Sequence, residues 1–219
     1  MAAGTTREFF APLRLLAFSD GVFGVVITLL VIDLRFPATE TGAGDPARVS
    51  ALLGMAPNLL IFVFTFLVVG MSWLGHHRKF SYVGKIDNGL LWLNLLYLMT
   101  LCLVPFVTSI LTGHGGRVAF ILYAVLMGLV SLLSGALSVY AFRPAFLADP
   151  DMAPGSRRDM TLSPLLTGGA FLVAAGLAFA NWNKLSHWSL LVIVPVAILF
   201  GSRGHAGLPV ASGVKRRED

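Results

Sequence analysis

Long apolar runs recur along the chain, and they restrict its fold more than any other feature of the sequence. Six runs are separated by short polar segments, at about 13–34, 49–74, 90–111, 118–142, 162–180 and 185–201. A helix of about 20 apolar residues crosses the hydrocarbon core of a bilayer, and it satisfies its backbone polar groups internally. The sequence therefore predicts an all-α, polytopic membrane protein with six transmembrane helices, whose solvent is a lipid bilayer.

The composition agrees with this architecture and excludes a separate soluble domain. Of 219 residues, 56% are hydrophobic and only 12% are charged, which leaves too little polar surface to cover a water-soluble globule. Because six spans and their loops use nearly the whole length, residues 1–219 are predicted to form one domain. The net charge of +5 comes from basic residues beside apolar runs, which favours membrane topology over a nucleic-acid partner.

The distribution of basic residues predicts the orientation of the chain. Twelve of the 16 Lys and Arg residues fall on one side of the six predicted spans, which marks that side as cytoplasmic. With an even number of spans, both termini are expected in the cytoplasm and the protein in the plasma membrane. The polar stretch 76–88 is predicted to be a cytoplasmic loop. Pro57, Pro105 and Pro195 fall inside apolar runs, where they are expected to kink the helices.

The first run differs from the others because it carries charge. Arg14 and Asp20 lie near one end of it, and charged groups within a span usually face protein or water rather than lipid. At 100° per residue, one narrow stripe of the helix is apolar apart from a single hydroxyl; it consists of Val25, Thr28, Leu29 and Ile32. Ser19 and Asp20 point away from this stripe. The pattern predicts a helix that faces two different environments.

The stripe alone permits two interpretations. The Thr28 hydroxyl could bond back to a carbonyl one turn earlier while the apolar side chains pack against neighbouring helices. Alternatively, the stripe could line a conduction pathway, with the hydroxyl facing the permeating species. Periodicity does not distinguish these possibilities.

Three ordered motifs provide further information. The first is Arg14 followed by Phe18-Ser19-Asp20, the second is Trp73-Leu-Gly-His76-His77-Arg-Lys-Phe80, and the third runs from Asn94-Leu-Leu-Tyr-Leu to Leu103-Val-Pro105-Phe. Together they resemble the blocks of the lysosomal and endosomal potassium channel family known as transmembrane protein 175, in its prokaryotic branch. The resemblance covers about the first half of the chain through specific motifs and the rest through hydropathy only.

The resemblance implies a homotetramer of six-helix subunits in which the first helix lines a central pore for potassium ions. It implies no cofactor, and the Thr-Val-Gly-Tyr-Gly filter of ordinary potassium channels is absent from the sequence. By position, Thr28 would form a selectivity ring with a modest preference for potassium over sodium. Val25, Leu29 and Ile32 would form the pore constriction or gate. Valine at position 25 is smaller than the isoleucine or leucine common in the family, so a wider constriction is expected there.

The resemblance also implies a structural network that holds the first helix. Its members on that helix are Arg14, Phe18, Ser19 and Asp20. From the residues themselves, His77, Asp87 and Asn94 are the candidate partners on the following segments. Since Asp20 points away from the stripe, this network is expected to stabilise the structure rather than to carry ions.

The same residues also permit other functions to be compared. A proton- or cation-coupled secondary transporter could use Asp20, although the sequence shows no inverted repeat or paired interrupted segments. A structural membrane scaffold also stays open. Enzymatic activity is not expected, because Ser72 and His76 lie one turn apart without a nucleophile elbow or an orienting acid. No metal site is predicted, since adjacent His76 and His77 point in different directions on a helix.

Overall fold

The computed structural model describes residues 12–34, 44–147 and 153–180, and these residues are almost entirely helical. Apart from an isolated β-bridge between Val83 and Leu147, no strand occurs in these ranges. A 3₁₀ segment, Leu30–Asp33, continues the first helix. The α-helices are α1 (Pro12–Leu29), α2 (Asp45–Gly54), α3 (Ala56–Ser81), α4 (Asn88–Cys102), α5 (Val104–His114), α6 (Gly116–Ala141) and α7 (Pro154–Phe179).

Five of the described helical stretches are long and apolar enough to cross a membrane. They are Pro12–Ile32, Ala56–Ser81, Asn88–His114, Gly116–Ala141 and Pro154–Phe179. The prediction of an all-α, multi-pass membrane protein is therefore confirmed. The sixth predicted span, 185–201, lies outside the described residues.

Pro57 and Pro105 mark helix starts in this fold rather than kinks within helices, whereas Pro164 lies inside α7 and Pro195 lies outside the described residues. Pro57 and Pro105 each lie in the first turn of their helix, α3 and α5 respectively. The missing N–H of proline costs nothing in the first turn, where amide groups have no intrahelical partner. The chain consequently breaks at Met55 between α2 and α3, and at Leu103 between α4 and α5. The third candidate span is thus made of two helices.

Helix α3 extends further than the sequence predicted. A loop was expected from residue 76, but α3 continues to Ser81. His76 and Lys79 are 0% and 2% exposed, because neighbouring helices supply hydrogen-bond partners for both side chains. After this helix, Asp87 caps α4 by accepting a hydrogen bond from the Leu90 amide at 2.9 Å. The actual connection between α3 and α4 is therefore short.

Helices α6 and α7 form a closely packed pair. A Cβ atom on Gly168 would lie 2.9 Å from Leu132 Cγ and 3.1 Å from the Gly128 carbonyl oxygen. Small residues let membrane helices approach until their backbones are nearly in contact. On another side of α6, the Tyr123 hydroxyl bonds to the Thr65 hydroxyl of α3 at 2.8 Å in a buried environment. Helix α6 therefore joins α7 to the rest of the subunit.

Candidate functional site

Helix α1 and its 3₁₀ extension present two faces of different character. One face packs against the rest of the chain, and its members are at most 1% exposed: Ser19, Phe23, Val26 and Leu30. The other face is open in the single subunit. Its members include Val25, Thr28, Leu29 and Ile32, with Val25 57% and Ile32 59% exposed. The stripe identified from the sequence therefore lies on the uncovered side of α1.

The change in helix type aligns the end of the stripe. Val25 and Leu29 are one α-helical turn apart, so both lie on the same face. Beyond Leu29 the chain becomes 3₁₀-helical, and side chains three residues apart eclipse one another in that geometry. Ile32 is therefore expected directly above Leu29. The three apolar side chains form one continuous ridge along the exposed face.

The Thr28 hydroxyl lies on this exposed face and bonds back to its own helix. Its Oγ1 is 2.9 Å from the Gly24 carbonyl oxygen and 2.9 Å from the Val25 carbonyl oxygen. Because a hydroxyl has one hydrogen and two lone pairs, this arrangement uses the hydrogen and leaves acceptor capacity on the oxygen. The back-bonded geometry and a role toward a cation are therefore compatible.

Behind α1, three buried side chains form a directional chain of hydrogen bonds. Ser19 Oγ donates to the Leu15 carbonyl at 2.9 Å, so it accepts from Asn94 Nδ2 at 3.1 Å. Asn94 Oδ1 then accepts from His76 Nε2 at 2.9 Å. All three side chains are 0% exposed. This chain connects α1 to α4 and α3 on the side opposite to the stripe.

Asp20 is held by a separate contact with α3. Trp73 Nε1 donates to Asp20 Oδ1 at 2.8 Å. The Trp73 ring in turn contacts the exposed His77 ring, with centroids 5.9 Å apart. A single indole N–H leaves Asp20 with further acceptor capacity. The contact orients the carboxylate toward α3 rather than toward the stripe.

Only some of the candidate network residues contact neighbouring helices. Ser19, Asp20 and Asn94 contact neighbouring helices, whereas Phe18 and Arg14 are exposed. In the part of the chain that the structure describes, Arg14 makes no hydrogen bond or ion pair. His77 reaches Asp20 only through the tryptophan. Asp87 lies in another cluster, where it accepts from the Tyr140 hydroxyl at 3.1 Å as well as capping α4.

His76 is the partner that the sequence analysis did not assign to this network. There it was considered as a metal ligand or a catalytic base. The helical period would have identified it if α3 had been continued past residue 74. The buried residues of α3 are spaced by three, four or seven positions, which places them on one face: Thr65, Val68, Val69, His76, Lys79 and Phe80. The assumption of a loop from residue 76 concealed this period.

The arrangement around His76 supplies no catalytic pair or metal centre. The Ser72 hydroxyl donates to the Val68 carbonyl at 2.9 Å rather than to His76. Among the described residues, no group of three or more His, Cys, Asp or Glu side chains could hold a metal ion. The site thus consists of an exposed, mainly apolar stripe on one side of α1 and a buried hydrogen-bond network on the other.

Comparison with known proteins identifies the family. Residues 14–105 match the family model described as endosomal/lysosomal potassium channel TMEM175. A protein from Streptomyces collinus named as a potassium channel is 34% identical over 173 residues, which cover 77% of this chain and 82% of the relative. The chain belongs to the TMEM175 family. It is a family of ion channels and not of enzymes, as the sequence analysis expected.

Further similarities extend the TMEM175 assignment along most of the chain. A protein from Chamaesiphon minutus named as a potassium channel is 33% identical over 202 residues, covering 88% of this chain and 95% of the relative. The crystal structure of a lysosomal potassium-selective channel TMEM175 homologue from the same organism superimposes with a TM-score of 0.71. That match has 30% identity and covers 89% of this chain and 98% of the other. The resemblance inferred from the motifs is confirmed.

Proposed function

We propose that this chain is one subunit of a tetrameric, potassium-permeable cation channel in the plasma membrane, with its termini in the cytoplasm. The observation that carries the proposal is the exposed, aligned stripe of Val25, Thr28, Leu29 and Ile32 in a member of a channel family. The relatives' names as potassium channels support potassium as the permeant ion. The exposed face of α1 from each subunit would line the pore.

The need for several subunits follows from the position of the stripe. A single helix face cannot enclose an aqueous path, so the exposed side of α1 must be completed by other copies. Gly21 and Gly24 also lie on the exposed side, and a Cβ atom on either would meet nothing within 4 Å in one subunit. These glycines therefore leave room for a second copy of the chain to approach closely.

Rings of apolar side chains supply the constriction. Symmetry-related copies of Val25, Leu29 and Ile32 would surround a narrow path with no hydrogen-bonding groups. Such a path blocks ions by dewetting when it is narrow and admits them when the helices rotate or spread. Val25 and Ile32 are the gate candidates, because they are the most exposed apolar members of the stripe.

Thr28 supplies the polar ring within this apolar path. Since its hydroxyl hydrogen is engaged with carbonyl oxygens of α1, the oxygen faces outward as an acceptor. A ring of neutral oxygens stabilises a partly dehydrated cation and discriminates by ion size and hydration. A modest preference for potassium over sodium follows, because the ring offers fewer oxygens than a stack of carbonyls.

Removing the Thr28 oxygen tests its role in selectivity. Thr28→Val keeps the branched shape of the side chain but has no hydroxyl. We expect the potassium-to-sodium permeability ratio, measured from bi-ionic reversal potentials, to fall by about half or more, because the cation loses its only side-chain acceptor ring in the stripe.

Thr28→Ser is the matched control. Serine retains the hydroxyl and its capacity to bond back to the helix, so its permeability ratio should stay close to that of the unmodified channel. An unchanged ratio in Thr28→Val would remove Thr28 from the selectivity role.

A cation-coupled secondary transporter is the second candidate. The observation that favours it is the break between α4 and α5 at Leu103, since interrupted helices form many transporter sites. The named relatives favour a channel instead. Current recordings distinguish the two, because a channel produces unitary current steps whereas a transporter saturates at low turnover.

A further inference from the structure

Lys79 is a basic side chain buried inside the subunit. It lies in the last turn of α3, and only 2% of the residue is exposed. Its Nζ atom donates to the Ser134 carbonyl of α6 and, at 3.3 Å, to the Ser134 hydroxyl. Within the described ranges no carboxylate pairs with it. Burying a lysine amino group among neutral oxygens alone is costly, so the placement of Lys79 between α3 and α6 requires an explanation.

A second serine hydroxyl links Ser134 to α7. One turn along α6, the Ser138 hydroxyl lies 3.1 Å from the same Ser134 carbonyl. It also lies 2.9 Å from the Met160 carbonyl of α7. Ser134 and Ser138 are both largely buried. The Lys79 amino group is thus the first member of a polar path from α3 through α6 to α7.

The neighbouring turn of α3 contacts α1. His76 precedes Lys79 by three residues, so the two side chains project from the same side of α3. His76 reaches α1 through Asn94 and Ser19. Its ring also contacts the Phe23 ring of α1, with centroids 5.6 Å apart. Two consecutive turns of α3 therefore contact both α1 and the α6–α7 pair.

We infer that Lys79 is a positioning residue that couples the α6–α7 pair to the pore helix and thereby sets the equilibrium between open and closed pores. The inference rests on the proposed channel function. The hydrogen bond that Asn94 donates to Ser19, with the bond from His76 to Asn94 behind it, draws α1 toward α4 and α3, away from the stripe side. Anchoring the end of α3 to α6 keeps α1 in this retracted position, which widens the pore. Ion selectivity stays with the stripe, which Lys79 does not contact.

Lys79→Met is the principal test, because methionine retains the unbranched stem but has no N–H donor. We expect the ratio of open to closed time in single-channel recordings to fall about tenfold. The potassium-to-sodium permeability ratio should stay unchanged. Lys79→Arg, which keeps donors and charge, should recover part of the open time. Lys85→Met removes an exposed lysine six residues further on and serves as the matched control.

An open-time ratio in Lys79→Met that is unchanged or raised would overturn the inference, and so would an altered permeability ratio. If Lys79→Met does not assemble, Ser138→Ala interrupts the same path by removing one hydroxyl and should lower the open time in the same direction. Unchanged gating in Ser138→Ala would then count against the coupling. Ser81→Ala, an exposed serine on α3, is its control.

A measurement independent of conduction separates this inference from the proposed function. Hydrogen–deuterium exchange of the protein in nanodiscs should become severalfold faster in residues 12–19 of α1 and 154–160 of α7 when Lys79 is replaced by Met. Unchanged exchange in α1 would overturn the coupling, even if the protein conducts. Absence of unitary currents in the unmodified protein would contradict the proposed function and would leave the exchange result to decide the coupling.

Discussion

Replacing Val25 with tryptophan is expected to lower the unitary potassium conductance by about tenfold or more. Val25 is 57% exposed on the stripe, so its symmetry-related copies would face one another across the pore. A ring of indoles in place of small branched side chains narrows an apolar constriction and favours its dewetted, non-conducting state. Planar-bilayer recordings of purified protein measure the effect directly.

Val63→Trp is the matched control, because Val63 is a 43% exposed valine on a different helix, α3. Its conductance should stay close to that of the unmodified protein, provided that the tetramer yield is equal. Equal conductance in Val25→Trp and Val63→Trp would show that the exposed face of α1 does not line the ion path.

A large loss of folding stability is expected when the interface between α6 and α7 is crowded. Gly168→Ala would place a Cβ atom 2.9 Å from Leu132 Cγ and 3.1 Å from the Gly128 carbonyl oxygen. A backbone oxygen cannot move away as the end of a side chain can, so the helices must separate. We expect a loss of about 1–3 kcal/mol in the free energy of unfolding, as for other overpacked interiors. The midpoint of thermal unfolding in detergent reports the change.

The adjacent glycine supplies a control of opposite sign. A Cβ atom on Gly169 meets nothing within 4 Å. Gly169→Ala should therefore stabilise the protein slightly, by up to about 1 kcal/mol, because alanine favours a helix more than glycine does. Equal shifts in the two variants would contradict the close packing of α6 on α7.

The sequence predicted the membrane fold well because hydropathy acts along each segment separately. It did not predict the helix ends correctly, because contacts with distant parts of the chain determine where a helix begins and ends. Helix α3 continues through His76 and Lys79 because Asn94 and Ser134 satisfy their polar atoms, and these partners come from distant parts of the chain. Likewise, α7 begins at Pro154, well before its apolar run starts. Polar residues inside a helix cannot be distinguished from a loop until their partners are known.

The candidate site likewise contains residues that the sequence identified and residues that it missed. The stripe follows from helical periodicity, so its four members were named from the sequence and lie on one exposed face. Asn94 was named as a partner of the first helix and bonds to Ser19. His76 was not assigned, because choosing between His76 and His77 requires the rotation of α3 relative to α4. That rotation is set by packing, which includes the contacts of the His76 ring with the Phe23 and Tyr97 rings.

The most direct test of the channel assignment is single-channel recording of the purified, full-length protein in planar bilayers under a potassium gradient. The proposed function predicts unitary current steps whose reversal potential lies toward the potassium equilibrium potential. Potassium flux without unitary steps and saturating at low turnover would contradict it and favour a transporter. Absence of any electrogenic potassium flux would contradict both.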